Sequence, residues 1–296
     1  MSDMPIELSL GPLLFNWPAP QVEAFYARIA ETAPVDRVYL GEVVCGKRTP
    51  LLADALARSA ERLGAAGKTV VWSSMSLPTN PRERRAGRNL AALDDLMEIN
   101  DISALADRTP GAPFVAGSLL NVYNEDAARE LMARGCVRLC ANVELPLTSI
   151  AGLARACPTL ELEVFAFGRL PLALSGRCYH ARAHGRHRDT CQYVCDRDPD
   201  GMAVRTLDGQ EFLAVNGVQT LSHGVQIVDL PPAVLREAGV RTLRLSPHTC
   251  DMAAIALVDG EIEAAELRAA VRETGPPGAL VSGYLRGGAG LRAADQ

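Results

Sequence analysis

The sequence predicts an α/β protein, a (β/α)8-barrel-like fold with a Cys-rich insertion and a small hairpin between the last two strands. Three observations carry this. Eight short apolar or β-branched runs recur along the 296 residues. Amphipathic segments lie between them, and strand alternating with helix implies a parallel sheet. A chain of this length can hold one large core, as many single-domain α/β barrels do.

The strands are expected at residues 6–9, Arg37–Leu40, 69–72, Met97–Ile99, Phe114–Ala116, 137–140, 162–165 and 242–245. Between the first two, residues 21–31 place Val22, Phe25, Tyr26 and Ile29 on one face at helical spacing. Residues 51–67 do the same with Leu52, Ala55, Leu56 and Leu63, and the small Ser59 completes that face. After the seventh strand the alternation breaks. From Gly168 to about Gly239 no simple helix is expected. A Cys/His/Arg-rich stretch is followed by VRTLDGQEFLAVNG, where Asp208-Gly209 between alternating runs signals a hairpin. The Gly- and Pro-rich end, from Gly275 on, is expected to pack loosely apart from Tyr284 and Leu285. Residues 1–296 therefore read as a single barrel-like domain with an insertion at about 168–240.

Charge narrows the function. With 30 basic and 35 acidic residues the formal net charge is −5. No basic run is long enough to track phosphates, so nucleic acid is not an expected partner. The opening MSDMPIELSLG has no charged n-region followed by an apolar stretch, and no apolar run approaches the roughly 18 residues of a membrane span. A cytoplasmic location is expected. There, eight cysteines point to metal or redox chemistry rather than to disulfides.

Three cysteines fall close together in GRCYHARAHGRHRDTCQYVCDRDPDG, with Cys178, Cys191 and Cys195 spaced C-x12-C-x3-C. A fourth, Cys45 in YLGEVVCGKR, follows the second strand. All strand-to-helix loops of a parallel barrel open on one end, so Cys45 can join the other three. Four thiolates suit a [4Fe–4S] cluster or tetrahedral zinc. The single close pair and the remote fourth ligand fit the larger cluster better, and zinc stays open on spacing alone. Arg177, Arg182, Lys47 and Arg48 flank these cysteines; cations there favour thiolates. Cys136 and Cys140, four apart on one strand and so on one face, and Cys157 at a helix end read as core residues. Cys250 follows the last strand, on the functional end of the barrel. His180, His184 and His187 invite a zinc reading, but a solvated basic loop with Arg182, Arg186 and Arg188 is the preferred one. Neither H-E-x-x-H nor G-x-S-x-G occurs.

In combination and order, LGPLLFNW, VYLGEVVCGKR, EINDISAL, PFVAGSLLNVYN, VELP, FGRLPLALSGRCYHAR, CQYVC, NGVQTLS, RLSP and GYLRGGAG resemble the collagenase-like peptidase family, in its UbiU/UbiV branch. The family signature is met at Glu163, Phe165, Gly168, Gly176 and Cys178, while Pro171 stands where most members carry a first cysteine. The resemblance implies that Cys45 replaces that cysteine, so that Cys45, Cys178, Cys191 and Cys195 hold one [4Fe–4S] cluster. It further implies a heterodimer with a UbiU-type subunit and cooperation with a UbiT-type lipid-binding protein. Their shared task would be oxygen-independent ring hydroxylation of a quinone precursor in ubiquinone biosynthesis. Peptidase activity is not expected. An RNA-hydroxylating member of the family and a zinc-stabilised scaffold subunit are the alternatives.

A cluster ligated by four cysteines has no open iron, which favours electron transfer or a structural role. Polar residues at the strand ends are pocket candidates. Glu42, Lys47 and Arg48 flank the first ligand. Asn121 and Asn124 follow the fifth strand, Glu144 the sixth and Arg169 the seventh, while Arg244 and Ser246 belong to the eighth. Each could equally cap a loop or close a salt bridge.

Overall fold

The computed structural model describes residues 6–93, 95–259 and 264–294. Strands β1 (Glu7–Leu10), β2 (Arg37–Leu40), β3 (Thr69–Ser73), β4 (Met97–Ile99), β5 (Phe114–Ala116), β6 (Cys136–Cys140) and the first half of β7 (Glu161–Leu174) pair in parallel, in sequence order. The chain then leaves the barrel through an antiparallel meander, β8 (Met202–Arg205), β9 (Glu211–Asn216) and β10 (Gln219–Ile227). It returns as β11 (Val240–Leu245), which pairs in parallel with both β7 and β1 and closes an eight-stranded parallel barrel. β12 (Leu280–Val281) adds to β10. The (β/α)8 expectation therefore holds, and each expected barrel strand overlaps an observed one.

Helices cover the barrel. They are α1 (Ala19–Thr32), α2 (Thr49–Ala65), α3 (Pro81–Ala91), α4 (Glu125–Ala133), α5 (Leu147–Ala156), α6 (Tyr179–Ala183), α7 (Pro232–Glu237), α8 (Met252–Asp259) and α9 (Ala264–Thr274). A 3-10 segment, Ile102–Asp107, stands between β4 and β5. α1 buries Val22, Tyr26, Ile29 and Ala30, and α2 buries Leu52, Ala55, Leu56, Ser59 and Leu63. Each such apolar side chain taken from water contributes roughly 1.5–3 kcal/mol. Asn80 and Asn124 start α3 and α4 by accepting the Glu83 and Ala127 amides, which would otherwise lack a helical partner.

The barrel interior is charged. Arg244 on β11 pairs with Glu163 on β7 (2.8 Å) and with Glu98 on β4, a strand it does not neighbour, so the contact crosses the interior. Tyr39, Ser9, Ser73 and Asn100 donate to the same carboxylates, and the guanidinium lies 3.9 Å from the Tyr39 ring centre. Burial pushes the Glu163 carboxyl up, but Arg244, Arg138 and Ser9 together outweigh it and the carboxyl stays below its ordinary range. Near the amino-terminal end of the barrel Arg138 bridges Glu7, Glu161 and Thr242.

Three expectations need correction. β7 does not stop near 165. It runs on to Leu174, and its second half pairs with β10 instead of β11. Pro171 is tolerated in it because the pairing slips around Leu221, where no ladder N–H is required. At the switch sits Gly168, with φ +123; a Cβ there would meet Ser246 and His248 at under 3 Å. Second, the region from 168 to 239 does contain helix, α6 and α7, and α7 is the crossover into β11. Both are short, which hides their periodicity. Third, the tail packs tightly. Val281, Ser282, Leu285 and Ala294 are buried, and Asp229 holds Arg286 (2.9 Å) and Arg268 (2.5 Å). The Asp208-Gly209 hairpin is present between β8 and β9. A second, unforeseen hairpin turns at Gly217-Val218 between β9 and β10.

Candidate metal centre

Cys45 sits in the loop from β2 to α2. Glu42 folds that loop by accepting the Val44 and Cys45 amides at 2.8 Å each. Cys178 is the N-cap of α6 and accepts the Ala181 amide at 3.4 Å. Cys191 and Cys195 flank a tight turn in which Gln192 and Tyr193 are both left-handed, with φ 50 and 55. These three segments converge. Cys45, Cys178, Cys191 and Cys195 line one cavity of about 20 Å³, together with Lys47, Arg48, His180 and Gly217.

The flanking residues hold the loops in register. Lys47 Nζ donates to the Arg188 and Asp189 carbonyls (2.7 and 2.9 Å), which ties the β2 loop to the excursion. Arg48, fully buried, donates to Asn216 Oδ1 (2.6 Å) and to the Leu14 carbonyl (3.3 Å). Asn216 in turn donates to the Cys195 and Asp198 carbonyls (3.0 and 2.8 Å). Gly217 has φ +67, and a Cβ there would lie 2.5 Å from Arg48 Nη2.

Each sulfur has an N–H aimed at it. Lys47 N–H serves Cys45, Ala181 N–H serves Cys178, Tyr193 N–H serves Cys191 (3.5 Å), and the Arg48 guanidinium serves Cys195 (3.5 Å). Burial raises the Cys45 thiol against the pull of Arg48. Burial also raises Cys178, helped by the neighbouring Cys195 and Cys191. A cation with affinity for sulfur would release those protons and let the N–H groups stabilise thiolates. An all-sulfur set of four suits an iron–sulfur cluster or zinc, and no carboxylate lines this cavity to favour a harder ion.

The remaining candidates separate. Asn121 and Glu144 line a larger cavity of about 370 Å³ with Asn100, Tyr123, Asn142 and several leucines. Its wall includes Pro171, Leu172 and Leu174 of β7. Tyr123 donates to Glu144 (2.8 Å), and Asn142 donates to Asn121 (3.0 Å). Arg244 and Ser246 line a small adjoining pocket that shares Asn100, Ser118, Leu119 and Pro171 with the larger one. The Arg244 charge is taken up by Glu98 and Glu163, while Ser246 Oγ is buried without a hydrogen-bond partner. Asn124 caps α4. Arg169 clamps the excursion to the tail by donating to the Asp200 and Pro277 carbonyls at 2.8 Å and to that of His223. Cys250 contacts Met252 (3.5 Å), and burial, helped by Asp200, pushes its thiol to about 12. Sequence reasoning passed over Asn100, Tyr123, Asn142 and Asn216, isolated polar residues in loops or at strand ends that carry no spacing signal. It also took the histidines as a solvated loop. His180 is instead fully buried, with Nε2 3.0 Å from Asp198, and it stacks on the half-buried His184. His187 is exposed.

Among the described residues no helix is long and apolar enough to cross a membrane. The model of Peptidase family U32 matches residues 21–258. Among solved structures, the chain is similar to a truncated 3-deoxy-D-arabino-heptulosonate 7-phosphate synthase from Thermotoga maritima. That match has 11% identity, covers 92% of this chain and 88% of that one, and has a TM-score of 0.39. It is also similar to a protein from Clostridium thermocellum that binds two copies of 5-methyl-5,6,7,8-tetrahydrofolic acid. There the identity is 9%, the coverage 85% and 92%, and the TM-score 0.39. Likeness this slight has no bearing on function.

Proposed function

The chain belongs to peptidase family U32, and from that premise we propose that it is a UbiV-type member that holds one [4Fe–4S] cluster on Cys45, Cys178, Cys191 and Cys195. In this reading it serves oxygen-independent ring hydroxylation of a quinone precursor, as the heterodimeric partner of a UbiU-type subunit and with a UbiT-type lipid-binding protein. The observation that supports it most is the convergence of four thiols on one buried cavity, each with an N–H directed at its sulfur. Four thiolates held together need such donors and a nearby cation to offset their charge.

Bound there, the cluster would supply one-electron transfer. The protein's own residues do the rest. Glu42 shapes the Cys45 loop, Lys47 locks it to the excursion, and Arg48 places a buried positive charge beside Cys195. That charge offsets the negative charge of a thiolate-bound cluster. The cavity of about 370 Å³ is in the size range of small-molecule pockets and combines amide and phenol groups with leucines. We assign the aromatic ring of the precursor to it.

The test is iron, sulfide and zinc content with electron paramagnetic resonance, on protein purified without air and co-expressed with its partner. About four irons and four sulfides per chain are expected. The Cys45→Ser variant is expected to lose most of both, together with hydroxylation. Unchanged iron in that variant would sink the assignment. Zinc on the thiolates without sulfide would make the chain a zinc-stabilised scaffold instead.

A further inference from the structure

We propose a second metal site, for one zinc ion, on His180, His184 and Asp198. It goes beyond the cluster reading: its donors are nitrogen and oxygen and none is a cysteine, although His180 also lines the thiol cavity.

The geometry is that of a ligand set. One ligand atom from each of the three residues lies within 4.8 Å of the others. Tetrahedral zinc with bonds of about 2.0–2.1 Å places neighbouring donors roughly 3.3 Å apart, so a small closure suffices. His180 on α6 and His184 at its C-cap are four apart, the spacing that puts two imidazoles on one helical face toward a metal. Their rings stack with centroids 5.4 Å apart and planes at 20°.

Hydrogen-bond accounting points the same way. His180 Nδ1 lies 3.2 Å from the Val215 carbonyl, which only an N–H can face. In the neutral ring, Nε2 then carries a lone pair. It faces the Asp198 carboxylate at 3.0 Å without making a hydrogen bond. His184 Nε2 is also buried without a partner. A lone pair on His180 Nε2 set against the Asp198 carboxylate is unfavourable, and a cation between them removes the conflict. The Val215 carbonyl is the outer partner that fixes the tautomer of a ligating histidine. Two imidazoles and one carboxylate favour zinc over magnesium or calcium and leave a fourth position for water.

The location gives the ion a task. α6 follows directly on Cys178, and Asp198 lies three residues after Cys195. One ion would cross-link the two segments that carry three of the four thiols. It would hold the excursion in shape whether or not the thiols are loaded.

The experiment is zinc content by mass spectrometry of the full chain, in wild type, His184→Gln, Asp198→Asn and Cys45→Ser. Far-ultraviolet circular dichroism checks folding. About one zinc per chain is expected in wild type and in Cys45→Ser, with a fall of at least tenfold in His184→Gln and Asp198→Asn and an unchanged spectrum. Two results would overturn the site. One is wild-type protein that holds less than a tenth of an equivalent after dialysis against zinc chloride, which would leave His180 and Asp198 a simple ion pair. The other is zinc that persists in His184→Gln and leaves with Cys45→Ser, which would place it on the thiolates. Absence of iron throughout bears on the cluster alone, because the zinc result is read independently of it.

Discussion

The barrel interior and the cysteine-rich excursion both bury polar, ionisable side chains, but they balance them differently. In the interior, Arg244 meets Glu98 and Glu163, and Tyr39, Ser9, Ser73 and Asn100 complete the carboxylates. Donors and acceptors there match one another. In the excursion, four thiols line one cavity and receive N–H groups, and one ligand atom each of His180, His184 and Asp198 lies within 4.8 Å of the others. A buried set that closes on itself is a structural device. A set of like donors converging on one point is the basis of the two proposed metal sites. Arg244 and Arg48 are both buried arginines; the first pairs with two carboxylates, and the second donates to Cys195.

The largest effect is expected at Arg244. Arg244→Met strands two buried carboxylates, so denaturant titration should show a loss of about 3–5 kcal/mol. Adding Glu98→Gln and Glu163→Gln should recover part of it. No recovery would mean the network is not self-contained. A smaller effect comes from acid. His248 is wedged edge-on against Phe15 and Phe167, donates from Nδ1 to the Ser246 carbonyl and accepts the Arg169 amide. Burial, with Arg169 adding to it and Asp200 opposing, lowers it to about 4 from 6.5. A folded value below the unfolded one means the unfolded chain binds the proton first. Stability is therefore full above pH 6.5 and declines as the pH falls toward 4. At about 1.4 kcal/mol per unit the total is on the order of 3 kcal/mol. Stability measured against pH in His248→Gln should lose that part of the slope.

Two milder changes sharpen the contrast. Gly217→Ala forces a left-handed alanine against Arg48, at a cost of roughly 1–2 kcal/mol. Because Arg48 serves Cys195, metal content should fall with it; a stable variant with full metal content would detach Arg48 from the site. Asn124→Ala removes only a helix cap, about 1 kcal/mol by thermal melting, with metal content unchanged.

Much of this was legible in the chain. The barrel strands lie in local runs whose pattern needs no distant partner, and the faces of α1 and α2 follow from spacing. The convergence of Cys45 with three cysteines far along the chain followed from parallel topology. The extension of β7 did not, since it depends on β10 arriving beside it. Nor did the packed tail, whose strand β12 exists only through pairing with β10.

By itself, then, the sequence determined the fold class, the order of the strands and the cysteines that could meet, because side-chain periodicity and connection rules act along the chain. Only the tertiary structure decided that His180 is buried beside Asp198, that Arg244 is neutralised while the Ser246 hydroxyl is left without a partner, and that Asn100, Tyr123 and Asn142 share a cavity. The physical reason is that burial and hydrogen-bond satisfaction are properties of neighbours in space, and those neighbours come from loops that have no periodicity to read.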